Sequence, residues 1–133
     1  MIRLLHLVHV WLILVPVMLL ATLFFGVLCL LTVHFAGPAR TARFTAVPWA
    51  RLGLFLSGVK VHLHGLENIR RDQSYVIVAN HLSHFDIWVL YGWLGMDLRW
   101  VMKQELRKVP VIGVSCEALG HVFVDRSNRQ AAL

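Results

Sequence analysis

No aspartate, glutamate, lysine or arginine occurs between residues 4 and 39. That gap constrains the chain more than any other feature. Within it, residues 7–35 are almost continuously apolar. A helix of about 20 apolar residues crosses a hydrocarbon core roughly 30 Å thick. This run is longer than one perpendicular span needs. It reads as one long tilted helix, a helix kinked at Pro16, or a shallow helical hairpin bent near Pro16 or Gly26. A cleaved signal peptide has an apolar core of only about 7–15 residues. Residues 1–36 are therefore read as an uncleaved hydrophobic membrane anchor. Composition agrees: 58% of residues are apolar and 15% charged, which argues against disorder and against an ordinary soluble globule. The net charge of +6 is too thinly spread for a nucleic-acid-binding stripe.

The flanking charges suggest an orientation. Arg3 lies upstream of the run, while Arg40, Arg43 and Arg51 lie downstream. The positive-inside rule then puts the C-terminal side in the cytoplasm. The two cysteines agree with a reducing compartment. Cys29 lies in the apolar run and Cys116 far downstream, so a disulfide between them is not expected.

Gly37-Pro38 punctuates the end of the run. Residues 37–57 read as a basic amphipathic helical segment at the membrane interface. Phe44, Val47, Leu52 and Phe55 recur at helical spacing among the arginines, with Trp49 beside them. Packing on a soluble core is the competing reading. From Gly58 the period changes. Residues 59–63 alternate as a two-sided strand, with His62 and His64 on one face. Residues 75–79 form a short β-branched run that reads as a buried strand. Residues 84–94 read as a helix with Ser83 as N-cap. Residues 98–102 read as a strand, 105–108 as a short helix or turn, 113–119 as a helix, and 121–124 as a strand. This alternation predicts an α/β sheet. Trp88, Trp93 and Trp100 are expected in its core or at the membrane edge.

Sites in open α/β sheets gather beyond the carboxyl ends of strands. Two polar clusters fall there, residues 80–86 and Asp125-Arg126. If His81 precedes the helix, the chain can fold back and bring Asp86 to one imidazole nitrogen. The other nitrogen is then free to act as a base. Ser83 has no nucleophile-elbow glycines around it, so the attacking hydroxyl would belong to a substrate. Asp86 could instead serve the helix N-terminus alone. A metal site from His81, His84 and Asp86 lacks a convergent shell. Lys103, Arg107 and Lys108 form a basic cluster, either a solvated face or one suited to anionic lipid.

Asn80-His81-x-x-x-x-Asp86 resembles the NHx4D motif of the glycerolipid acyltransferases, above all the 1-acyl-sn-glycerol-3-phosphate branch. Gly58-Val59-Lys60-Val61 and Gly65-Leu66-Glu67-Asn68 resemble the strand and turn ahead of that motif. Lys103-x-Glu105-Leu106, with Pro110 and Gly113, resembles the linking segment. Gly120-x-x-Phe123-x-Asp125-Arg126 resembles the second block. Order and spacing agree from about residue 58 to 129. The resemblance implies that His81 is the general base and Asp86 its orienting carboxylate. It implies that Arg126 binds the acceptor phosphate, a match for a guanidinium fork, with Asn80, Ser83, Lys103 and Gly120 also lining the substrate. It implies acyl transfer from acyl-CoA or acyl carrier protein to lysophosphatidic acid, with no cofactor.

The family's third block, with its Glu-Gly-Thr-Arg core, does not follow Arg126. Residues 58–133 are therefore read as the N-terminal part of an acyltransferase domain, expected to have little or no activity alone. The alternatives are an inactive membrane-anchored remnant and a sibling enzyme using another lysolipid or an acyl-amino-acid acceptor. The expected location is a bacterial inner membrane, with the catalytic domain on its cytoplasmic side.

Overall fold

The computed structural model describes residues 2–125. Its first 35 described residues form one continuous helical rod. Helix α1 (Ile2–His9) passes through a single π-helical stretch at Val10–Leu14 into α2 (Val15–Ala36). The π-stretch lies just ahead of Pro16, whose missing N–H and bulky ring disrupt the regular ladder. The rod does not fold back at Pro16 or Gly26. The span from Arg3 to Ala36 is long and apolar enough to cross a membrane, with an 18-residue window of mean hydropathy 2.7. Its 34 residues correspond to about 50 Å of helix at 1.5 Å per residue. Thr22 and Thr32 hydroxyls donate to the carbonyls of Met18 and Leu28 at 2.6 and 2.7 Å, so neither is unsatisfied in apolar surroundings.

The helix is apolar all round, yet protein covers only one stripe of it. Met18, Ala21, Cys29 and Val33 are buried. Leu19, Leu20, Leu23, Phe24, Leu31 and Phe35 stay exposed. Small residues on the covered stripe let neighbouring elements approach closely. Gly37, at φ +76°, ends α2, and Pro38 opens α3 (Pro38–Phe44). After a break at Thr45 comes α4 (Ala46–Leu56), which returns along α2. The Trp49 indole N–H donates to the Thr22 hydroxyl at 2.9 Å. Near the far end, His9 Nε2–H donates to the Leu56 carbonyl at 2.8 Å. The hairpin thus exists, but it is made by α2 with α3 and α4 rather than within the apolar run.

The stripe by which α4 packs on the protein is not the Phe44, Val47, Leu52 and Phe55 stripe read as interfacial. Ala50, Gly53 and Leu54 are buried, whereas Phe44 and Phe55 are 66% and 80% exposed. Small residues won that face because α5 (Phe85–Trp93) lies directly on it. A Cβ at Gly53 would stand 2.8 Å from the Trp88 ring. Trp88 meets Trp49 and Phe85 edge to face, at centroid distances of 6.0 and 5.3 Å, a favoured aromatic geometry. Arg51 Nε donates to the Gly92 carbonyl at 2.9 Å, and its guanidinium stacks over Trp93.

The sheet is smaller than the alternation predicts. Its described strands are β1 (Val101–Lys103) and β2 (Val122–Val124), paired in parallel. A 3₁₀ turn at Gln104–Lys108 and α6 (Ile112–Ala118) connect them. The expected strands at 59–63 and 75–79 form no ladder, which corrects the α/β reading to a mostly helical chain with a two-stranded sheet. Val76 and Val78 are 94% and 91% exposed. A β-branched run becomes a buried strand only when a neighbour supplies ladder partners and covers its faces, and no described segment does so here.

Helix α6 seats on α2. The Ser115 hydroxyl donates to the Gly26 carbonyl at 3.2 Å. Val111 has φ +64° and ψ −49°, and the Ile112 N–H bonds back to the Pro110 carbonyl at 2.7 Å. That is the rare γ-turn, strained for a β-branched residue. It drives the Val111 side chain into the notch at Gly26, where any Cβ would collide with it. Cys29 and Cys116 are free thiols. Although far apart in sequence, the segments that carry them meet, with Cys29 Sγ 4.0 Å from the Ser115 carbonyl.

Candidate active site

Residues 80–86 fold into a tight turn around one carboxylate oxygen. Asp86 stands in the first turn of α5 and reaches backward. Its Oδ2 accepts the backbone N–H groups of Leu82 and Ser83, both at 2.8 Å. The same oxygen lies 3.2 Å from His81 Nδ1. Asp86 therefore both serves the start of its helix and orients the histidine. The two readings left open by the sequence describe one arrangement. The Ser83 amide, with help from Leu82 and His81, holds the Asp86 carboxyl below its usual pKa, so it stays an ionised acceptor. A carboxylate can only accept, which puts a proton on His81 Nδ1 and leaves Nε2 with its lone pair. The His81 side chain is 61% exposed. An exposed imidazole nitrogen so oriented has the chemistry a general base requires.

The Ser83 reading needs correction. Helix α5 begins at Phe85 with His84 at the cap position and no side-chain cap. Ser83 contributes its amide to the Asp86 carboxylate, and its backbone carbonyl, not its hydroxyl, accepts the Asp86 N–H at 3.4 Å. Asn80 is exposed beside His81. His84 is not part of the His81–Asp86 pair. His62 and His64 are exposed on a segment that is not a strand. Among the described residues, no three histidine, cysteine or acidic side chains converge as metal ligands.

Lys103 ends β1, in register with Val124 of β2, so it stands on the rim from which Asp125 emerges. Gly120 turns the chain into β2 at φ +79°, packed against Arg99. Arg107 of the expected basic cluster pairs with Glu117 and lies over the Phe123 ring. Arg126 lies outside the described residues.

Among the buried polar residues that sequence reasoning missed is His121. Its Nδ1 accepts the Trp100 N–H at 3.2 Å, and its Nε2 lies 2.6 Å from the Tyr91 hydroxyl. Periodicity treated it as a strand residue. A histidine at the edge of an apolar run was the only signal available.

Residues 60–133, more than half of the chain, match the model of the acyltransferase family. The chain belongs to that family. Among its relatives is a 1-acyl-sn-glycerol-3-phosphate acyltransferase of Pseudomonas aeruginosa, 33% identical over 95 residues, covering 68% of this chain and 36% of the relative. A protein of the same description from Saccharomyces cerevisiae is 30% identical over 111 residues, covering 83% of this chain and 36% of the relative. A lyso-ornithine lipid O-acyltransferase of Rhizobium meliloti is 30% identical over 82 residues, covering 62% of this chain and 27% of the relative. The chain spans between 33% and 39% of the length of the first four such relatives. No solved structure matches it.

Proposed function

We propose that this chain supplies the catalytic base and membrane-seating part of an enzyme that acylates lysophosphatidic acid. The observation carrying the proposal is the His81–Asp86 pair at 3.2 Å, with the outer imidazole nitrogen open to substrate. In the reaction, His81 Nε2 takes the proton of the free glycerol hydroxyl as its oxygen attacks the thioester carbonyl. The carbon–sulfur bond breaks, the ester forms, and the imidazolium returns its proton to the departing thiolate. Asp86 stabilises the imidazolium formed in between. Acyl-CoA or acyl carrier protein would be the donor. Arg126, with Lys103 on the neighbouring strand rim, would bind the acceptor phosphate.

The substrate and product of such a reaction are lipids. The exposed face of α1 and α2 would face the hydrocarbon, while α4 and α6 cover the other face. Arg40 and Arg43, beside exposed Phe35 and Phe44, would meet anionic headgroups. The expected setting is a bacterial inner membrane with residues 58–133 on its cytoplasmic side. A second reading, a different lysolipid acceptor, is favoured by the similarity to the lyso-ornithine lipid acyltransferase.

Complementation tests both readings. Cells with a conditional defect in lysophosphatidic acid acylation would receive the chain as given. They would also receive a hybrid in which residues 60–133 replace the matching segment of the Pseudomonas aeruginosa relative. Rescue by the hybrid, lost with His81→Ala, is the expected result. A folded hybrid that acylates only lyso-ornithine lipid would transfer the proposal to the second acceptor. A folded hybrid that acylates neither would overturn it.

A further inference from the structure

We propose that His121 is a positioning residue for the His81–Asp86 pair, acting through the Tyr91 hydroxyl at 2.6 Å. The proposal rests on reading that pair as catalytic. His121 is only 7% exposed and immediately precedes β2. Its Nδ1 accepts the N–H of Trp100, the residue immediately before β1. The strand partner bond runs alongside, from the Val122 N–H to the Trp100 carbonyl at 2.8 Å. One imidazole therefore ties together the starts of both strands and the helix that carries Asp86.

The tautomer follows from the partners. A backbone N–H only donates, so Nδ1 must carry the lone pair. Neutral His121 then has its proton on Nε2 and donates it to the Tyr91 oxygen. Burial, the main cause, and the nearby Arg99 hold its pKa down to about 4, so it remains neutral at ordinary pH. A fully partnered buried polar group specifies one arrangement, whereas a half-partnered one is costly. Tyr91 lies on the same nine-residue helix as Asp86. Arg51 and Trp49 hold one side of that helix from α4. His121 holds it from the sheet, and so sets where its first turn stands relative to the strand that leads to Asp125.

The test is NMR on the intact chain in detergent micelles, with labelled histidine and backbone amides. His121 should show a proton on Nε2 and a bare Nδ1. In Tyr91→Phe and in His121→Asn, which keeps an acceptor for Trp100 but loses the Tyr91 bond, the Leu82 and Ser83 amide signals should shift. Gly26→Ala, which strains the distant contact between α2 and Val111, should leave those two signals in place. If His121→Asn does not fold, Tyr91→Phe decides the matter. The opposite tautomer, unmoved Leu82 and Ser83 signals in folded variants, or an equal shift in Gly26→Ala would each overturn the proposal. None of these readouts depends on acyl transfer, so failure of the enzymatic reading remains a separate outcome.

Discussion

At the scale of single residues, chemistry is concentrated in a carboxylate oxygen that accepts three donors. In the active hybrid, His81→Ala should lower turnover by about a hundred- to ten-thousandfold, the usual contribution of a general base, as measured by thioester consumption. Asp86→Asn should also reduce it strongly, because an amide cannot stabilise the imidazolium. His121 gives a prediction about stability. Its folded pKa is about 4 against an ordinary 6.5, so the unfolded chain takes up a proton first as the pH falls. The stabilisation is complete above pH 6.5 and is lost progressively toward pH 4. The groups around it are Tyr91 and Cys116, held protonated by burial, and Arg99, paired with Asp97. Thermal unfolding between pH 7 and 4 should therefore show a falling midpoint, and His121→Gln should flatten that slope.

At the scale of elements, packing is decided by where side chains are missing. Gly26 admits Val111, and Gly53 admits the Trp88 ring. Gly26→Ala should destabilise the α2–α6 contact by about 1–3 kcal/mol, the cost of overpacking a tight site. Helix propensity alone predicts the opposite sign, since alanine favours a helix interior by roughly 1 kcal/mol over glycine. Denaturant midpoints in one detergent distinguish the two. Most helices were legible in the sequence for simple reasons. The 84–94 and 113–119 segments had clear boundaries, and the strand near 122 was β-branched and preceded by a glycine turn. The segments at 59–63 and 75–79 had the same local signals and did not pair. Local pattern reports the capacity for a strand, while pairing depends on a neighbour that pattern does not name.

At the scale of the whole molecule, the long apolar rod has two faces of different fate. Flotation with anionic vesicles should carry the chain to the lipid fraction. Replacing exposed Leu20 and Phe24 together by aspartate should release most of it, by tenfold or more. Arg40→Gln with Arg43→Gln should weaken binding at low salt, by about 1 kcal/mol per charge. That difference should vanish at high salt as screening shortens the reach of the charges. Retention of the aspartate variant on vesicles would show that the exposed face of α2 does not contact lipid.

The sequence by itself determined that an uncharged run would form a long apolar helix, because nothing in it could satisfy another structure away from water. It also determined which histidine and aspartate could meet, because a loop before a helix allows the chain to double back over five residues. The tertiary structure decided the remainder. It chose the covered stripe of the rod, because α4 and α6 approach where Ala21, Gly26 and Cys29 leave room. It gave Arg107 its partners, because Glu117 and Phe123 arrive from other elements. It placed His121 beside Tyr91, a contact between residues 30 apart that no local spacing encodes.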